Sequence, residues 1–541
     1  MIDAKLLNAY VAELEALRVH GRELAEAFPD VAARLDIGPR RSRDPHVERL
    51  VESAAFLAAR LRMLLEDQST ELPTALLSML APTLLEPVPS MAVVELRNGS
   101  EAQQIARGTR FDHQFGGHAL VCFATTMSVT AAPFSVDARR LGAQGGYADI
   151  VSLRLTGKPP TTLTLYVGNN ALNAATMLDA FAEDLALIEV VQPRNGGSEF
   201  LAPGQLRMRG FATDEAALPR RRAVHQAHRI VTEFMVFPEK FRFASLTGAR
   251  FQNGTEVRFL FSRPINLARD LPRDLITVNR VPAVNLWATT ATPFDISGRQ
   301  LEYPVRVDAQ RYRIVECHSV EEVSLYGPEG GQPVRLDPIL AAGDILDTAI
   351  RWGTRRSVSR AGGEVNLYFQ GLDYRMLGQH THLVSPRVLA SNGELPQRAR
   401  AGEPLYPVDG MGDWRSALAS VPTAYRPALA QSRAMRALIA HMQSSLGHLA
   451  ATDRRGSLRH YLRQFPGGDE APWIDALGRV ELRPFATQRN GFAQPALRAY
   501  VAFDALRSRT TSRATLRRVL AELFDSQRGL NRVEEVAVVA A

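Results

Sequence analysis

Near residue 90 the apolar period of this chain changes, and that change limits what it can fold into. Before "EPVPSM" (residues 86–91) apolar side chains recur at helical intervals. From Met91 they come in short β-type runs such as "MAVVELR", "HALVCFATTMSVT" and "ADIVSLRLTG", separated by Gly, Pro and Asn. Pro82, Pro87 and Pro89 leave little room for helix at the switch. Helix comes first, and sheet follows.

A chain of 541 residues is too long for one core. The pattern predicts an α+β multidomain protein with an N-terminal helical segment, β-rich middle domains and a mixed α/β C-terminal domain. The expected divisions are 1–88, 89–247 with one inserted helix ("NAATMLDAFAEDLALI"), 248–415 and 416–541. No internal repeat and no low-complexity tail occurs.

Within the helical part, "DPHVERLVESAAFLAARLRMLLEDQ" predicts one long helix, with Asp44 as N-cap and Pro45 in the first turn. "TELPTALLSMLAP" predicts a separate helix after it. The long helix carries a main apolar stripe (Val47, Leu50, Val51, Ala54, Leu57, Ala58, Leu61, Leu64, Leu65) and a smaller patch of Phe56, Ala59 and Met63. One stripe suffices for a helix lying on its own core. The second side is either another internal contact or a surface for a partner.

Composition and motifs exclude more than they establish. The formal charge is +7 with Arg scattered along the chain, which does not make the concentrated basic face of a nucleic-acid binder. The densest basic run, "PRRRAVHQAHR", reads as a solvated face or a contact with an acidic partner. Cys122 and Cys317 form no C-x-x-C pair, so no cysteine zinc site or disulfide framework is expected, as suits a reducing cytosol. Charged residues interrupt the first apolar segment, and no run of 18 apolar residues follows, so neither a signal peptide nor a membrane span is expected. G-x-x-x-x-G-K-[ST], G-x-S-x-G and H-E-x-x-H are absent. His380 and His382 in "GQHTHLV" share one strand face but lack an acidic or Cys partner nearby, which favours a polar surface over a metal site. No cofactor and no catalysis are expected.

Several ordered stretches resemble the TssF (ImpG, VasA) family of bacterial type VI secretion systems. The first is "DPHVERLVESAAFLAARL" with "ELPTALLSMLAPTLLEPVPSMAVVEL"; Tyr10, Glu13, Leu14 and Leu17 fit the helix upstream. The second is "GFATDEAALP" with "HRIVTEFMVFPEKFRFASLTG". "VPAVNLW", "LEYPVRVDAQ", "ASNGELP" and "LNRVEEV" continue the match, while the last third departs most. The resemblance implies a non-catalytic baseplate wedge subunit, in which two TssF copies join one TssG through helices. TssE, TssK and a VgrG hub complete the baseplate, which docks from the cytoplasm at the inner membrane. It also gives the second apolar side a role: Phe56, Ala59 and Met63, with Tyr10, Leu14 and Leu17, would face a TssG helix or the second copy, and the main stripe would pack within the subunit. Competing readings are a wedge protein of a phage tail or extracellular injection device, and a hydrolytic enzyme on β-domains.

Overall fold

The computed structural model describes residues 4–34, 45–115, 119–168, 170–193, 197–220, 225–296, 300–308, 312, 314–327, 332–339, 350–357, 364–371, 382–408, 410–429, 431–442, 444–450, 457–489, 492–527 and 532–540. Two compact units emerge: residues 1–78 with 430–438, and the remainder. Asp44, His380 and residues 221–224 of the basic run lie outside the described residues, as does the side chain of His382.

The first unit is built on α1 (Ala4–Ala27), α2 (Pro29–Arg34) and α3 (Pro45–Leu80). Arg62 pairs with Glu13 at 2.8 Å, and Arg18 pairs with Glu48, so α1 and α3 run in opposite directions. The two helices expected on either side of residue 70 are one, with Pro73 inside it. An interior proline removes one hydrogen bond and costs about 3 kcal/mol. Burial of Pro73 and Leu77 offsets that cost locally.

Three β assemblies and a C-terminal sheet make the second unit. Strands Met91–Arg97, Arg110–Phe115, Ala119–Thr125, Arg280–Val284, Pro404–Pro407 and Arg415–Leu418 close into a barrel. Its interior is filled by residues including Val94, Phe111, Phe123, Val281 and Leu405. A five-stranded sheet containing Phe134–Arg140, Asp149–Gly157, Leu185–Val191 and Glu256–Phe261 shares a core with a four-stranded sheet containing Leu163–Val167, Phe243–Leu246 and Ile276–Thr277. An eight-stranded sheet centred on Glu316–Tyr326 and His382–Ser391 has its own core around Val323, Trp352 and Leu367.

The barrel takes strands from both sides of residue 248, and its last strand ends at Leu418. The linear divisions at 247/248 and 415/416 therefore do not separate the sheets, because strand pairing joins residues far apart in sequence. Nor is the C-terminal part set off. Helix Arg513–Ser526 is anchored to helix Ala171–Asp179: Asp179 accepts from the Ser512 hydroxyl at 2.6 Å and from Ala514 N–H at 3.0 Å. Gln226, on helix Gln226–Val236, donates to Glu522 at 2.9 Å.

Two further segments depart from their local pattern. "NAATMLDAFAEDLALI" is a helix only to Asp179; after one wide turn, Leu185 begins a strand paired to Glu256–Phe261. "RIVTEFMV" lies in helix Gln226–Val236, inside what the sequence presents as β-rich chain.

Candidate partner-binding surface

On α3 the burial reverses the expected assignment of faces. Ala55 and Ala59 are fully buried, with Val51 and Ala58 half-buried beside them. Leu50, Leu57 and Leu61, from the stripe expected to be internal, are 69%, 65% and 59% exposed, and Ala54 is exposed between them. At 3.6 residues per turn the leucine line lies roughly 160° around the helix from the Ala55–Ala59 line. The reason is size. Alanines let a helix approach its neighbours closely, and a leucine row on that side would hold them apart.

The exposed row has a definite geometry. Leu50, Ala54, Leu57 and Leu61 follow one another by four, three and four residues, the spacing of a coiled-coil seam. Along α1, Leu7 and Val11 are exposed four residues apart, while Tyr10, Leu14 and Leu17 are half-buried. Phe56 is 42% exposed on the flank of α3, Ala59 is buried, and the Met63 side chain lies outside the described residues. Of the six residues singled out from the sequence, Phe56 is thus the only one that the described residues leave exposed. Further along α3, Leu72, Leu76 and Met79 repeat the four-three spacing and are exposed as well. Large exposed apolar patches are where partners commonly bind.

The other motif-bearing stretches are buried and polar. Glu233, in "HRIVTEFMVFPEKF", is sealed from solvent and accepts from the backbone N–H of Ala217 and Leu218, both at 2.9 Å. Arg229 donates to it at 2.9 Å, and Lys240 donates both to Glu233 and to the Gly210 carbonyl, the latter at 2.7 Å. Burial opposes ionisation of Glu233, but Lys240 and Arg229 outweigh it and hold the carboxyl below the usual range. Burial pushes the Lys240 ammonium below its usual value as well, partly countered by Glu233. Glu215 closes the cluster by accepting from Arg209 at 2.6 Å and from Gly210 N–H at 2.5 Å. Gly210 has φ +99°, and a Cβ there would fall 2.8 Å from the Lys240 carbonyl oxygen. Both halves of the second motif, "GFATDEAALP" and "HRIVTEFMVFPEKF", meet in this one clasp.

"VPAVNLW" and "ASNGELP" also meet. Asn392 N–H donates to Asn285 Oδ1 at 2.8 Å, and Asn285 Nδ2 donates to Asn392 Oδ1 and to the Cys122 carbonyl, both at 2.7 Å. Asn285 N–H donates to the Ser90 carbonyl at 2.8 Å. Both asparagines are fully buried, and they join the barrel to the eight-stranded sheet. Nothing in the spacing of the two motifs announces this pairing; the shared residue type is the one available signal. His228 lies against His441, with ring centres 4.7 Å apart. Burial, then the neighbouring His441, pushes its pKa down to about 3; burial lowers His441 to about 4. The clasp and the amide pair are buried supports. Among the described residues no three metal-ligating side chains gather, and no helix is long and apolar enough to cross a membrane.

A family model for the type VI secretion system protein TssF matches residues 2–540. The chain belongs to the TssF family. It is 29% identical over 367 residues to the type VI secretion system component TssF1 of Pseudomonas aeruginosa; the match spans 61% of this chain and 59% of that relative's length. The fold is similar to a chain of a TssK-TssF-TssG baseplate subcomplex solved by cryo-electron microscopy, with a TM-score of 0.72 and 21% identity, covering 91% of this chain and 96% of that one. It is also similar to a chain in a type VI secretion baseplate complex, with a TM-score of 0.64 and 20% identity over 99% and 97% of the two chains. TssF membership and this α+β architecture therefore agree along nearly the whole chain.

Proposed function

We propose that this TssF-family chain is a structural, non-catalytic subunit of a type VI secretion baseplate, and that its N-terminal helices dock onto helices of a TssG-like partner. One observation carries the reading: the leucine row of α3 stands exposed at coiled-coil spacing. Covering Leu50, Leu57 and Leu61 would contribute about 1.5–3 kcal/mol each by area, before the costs of association. A wedge of two copies of this chain with one TssG-like subunit, completed by TssK and TssE around a VgrG hub on the cytoplasmic side of the inner membrane, is the assembly that fits such a face. Phe56 flanks the row and belongs to its rim; Ala59, being buried, acts by letting α3 pack closely.

Co-expression with the TssG-like protein, followed by native mass spectrometry, tests this. The expected species contains two copies of this chain and one partner, and Leu57→Arg with Leu61→Arg removes it while the free chain still folds. A folded wild-type monomer that ignores the partner would sink the proposal.

A further inference from the structure

The C-terminal sheet of Leu477–Arg489, Phe492–Phe503 and Val533–Ala540 has two outer strands, and they are defended unequally. An outer strand presents unpaired N–H and C=O groups that template further pairing, and chains blunt such edges with charge, proline or a bulge. Leu477–Arg489 has all three: exposed Arg479 and Arg483, exposed Pro484, and a register shift between Leu477 and Val480. Val533–Ala540 has a register shift near its start and exposed Glu534 and Glu535, and there its defences stop. The rest, Val536–Ala540, is Val-Ala-Val-Val-Ala, with no charge, proline or bulge.

This stretch is open on its outer side. Its ladder partner is Phe492–Phe503, in a parallel pairing whose crossover helix, Arg513–Ser526, lies against the strand. Among the described residues, no backbone hydrogen bond engages residues 536–540 except those of that pairing. The amides facing away from the sheet are therefore unpaired within the chain, and groups of that kind are left open to water or to a partner. Val539 is 39% exposed and Ala540 is exposed beside them.

The side chains select the occupant. Recognition of a foreign strand takes its specificity from pockets for alternate side chains, and this row of Val and Ala offers none. A second copy fits without them. Antiparallel pairing across a two-fold axis at Val538 sets Val536 against Ala540 and Ala537 against Val539, a large residue against a small one in each flanking pair. That register leaves Glu534 and Glu535 beyond the paired stretch. Each is also matched within its own chain, Glu534 to Arg532 at 3.6 Å and Glu535 to Arg498 at 2.6 Å. No like charges meet across the axis within the paired stretch.

We propose that Val536–Ala540 pairs antiparallel with the same stretch of a second copy of this chain, joining two three-stranded sheets into one of six strands. The contact is separate from the leucine row, and its test does not depend on it. Five residues a side fall short of the roughly 20–30 of a stable interface, so cross-linking rather than sizing reads it. Cys122 and Cys317 are buried, which leaves an introduced thiol as the reactive one. Facing positions of an antiparallel pair lie close enough for a disulfide. The full-length chain carrying Val538→Cys is oxidised with copper phenanthroline, with and without the TssG-like protein, and covalent dimer is followed by non-reducing electrophoresis. Dimer should form at least about tenfold faster than from Leu506→Cys, an exposed position that meets its copy only by collision. A mixture of Val536→Cys and Ala540→Cys chains should give the mixed dimer in preference to either self-dimer. Adding Val539→Lys to Val538→Cys should lower the rate to the Leu506→Cys level, while adding Leu57→Arg should leave it unchanged. Equal rates for Val538→Cys and Leu506→Cys, no preference for the mixed dimer, or loss of the dimer whenever the TssG-like protein is present would each overturn the proposal, the last by giving the edge to that protein.

Discussion

The helical unit and the β-body handle polarity in opposite ways. On α3, Leu50, Leu57 and Leu61 face outward and Ala55 and Ala59 inward; in the body, Glu233, Lys240 and Arg229 are shut away from water, with the Lys240 ammonium over the Phe241 ring. The two arrangements answer different demands. A buried ion cluster is satisfied within its own chain, and it fixes which segments meet without offering anything to a partner. An exposed leucine row leaves its stabilisation unrealised until another helix covers it. The clasp is satisfied within its own chain, and the leucine row is the face offered to the proposed partner.

Substitutions can break this contrast at several depths. Glu233→Ala should be the most damaging, because Lys240 and Arg229 would keep buried charge without a counter-ion. A loss of about 3–5 kcal/mol is expected in denaturant unfolding. Asn392→Ala should follow at about 1–3 kcal/mol, since it strands the Cys122 N–H and the Asn285 amide in a buried junction. Asn392→Asp would sharpen the point, as a charge there should cost more than the deletion.

Acid should weaken the body next. As pH falls below about 6.5, the unfolded chain gains a proton at His228 whereas the folded chain does not until about 3. Stability therefore drops with acidification by about 1.4 kcal/mol per pH unit for this residue within that window. His441 adds to the slope down to about 4, while Tyr461, which contacts His228 at 3.4 Å, stays protonated throughout because burial raises its pKa. His228→Phe should flatten the acid limb of a stability–pH curve; an unchanged slope would place the loss elsewhere.

The smallest stability effect should come from the outward leucines. Leu57→Arg should move unfolding free energy by no more than about 0.5 kcal/mol, as for other surface sites, while weakening the partner complex severely. A large loss of stability in the free chain would mean that the row is covered internally, and the contrast between the two regions would fail.

Periodicity alone located the helical start, the sheet-forming remainder and the residues of the leucine row, because alternation and helical spacing are local properties of a chain. It also fixed that α3 has two apolar sides. It could not say which side faces inward. That depended on the packing distance that Ala55 and Ala59 permit, a property of neighbouring helices that intrinsic hydrophobicity does not encode. Likewise "ASNGELP" and "VPAVNLW" are legible as segments, yet the amide pair between them exists only because the barrel and the eight-stranded sheet bring residues 285 and 392 together. Strand partners and the crossing of residue 248 by the barrel were decided in three dimensions. There, hydrogen bonds and burial join groups that no sequence window contains.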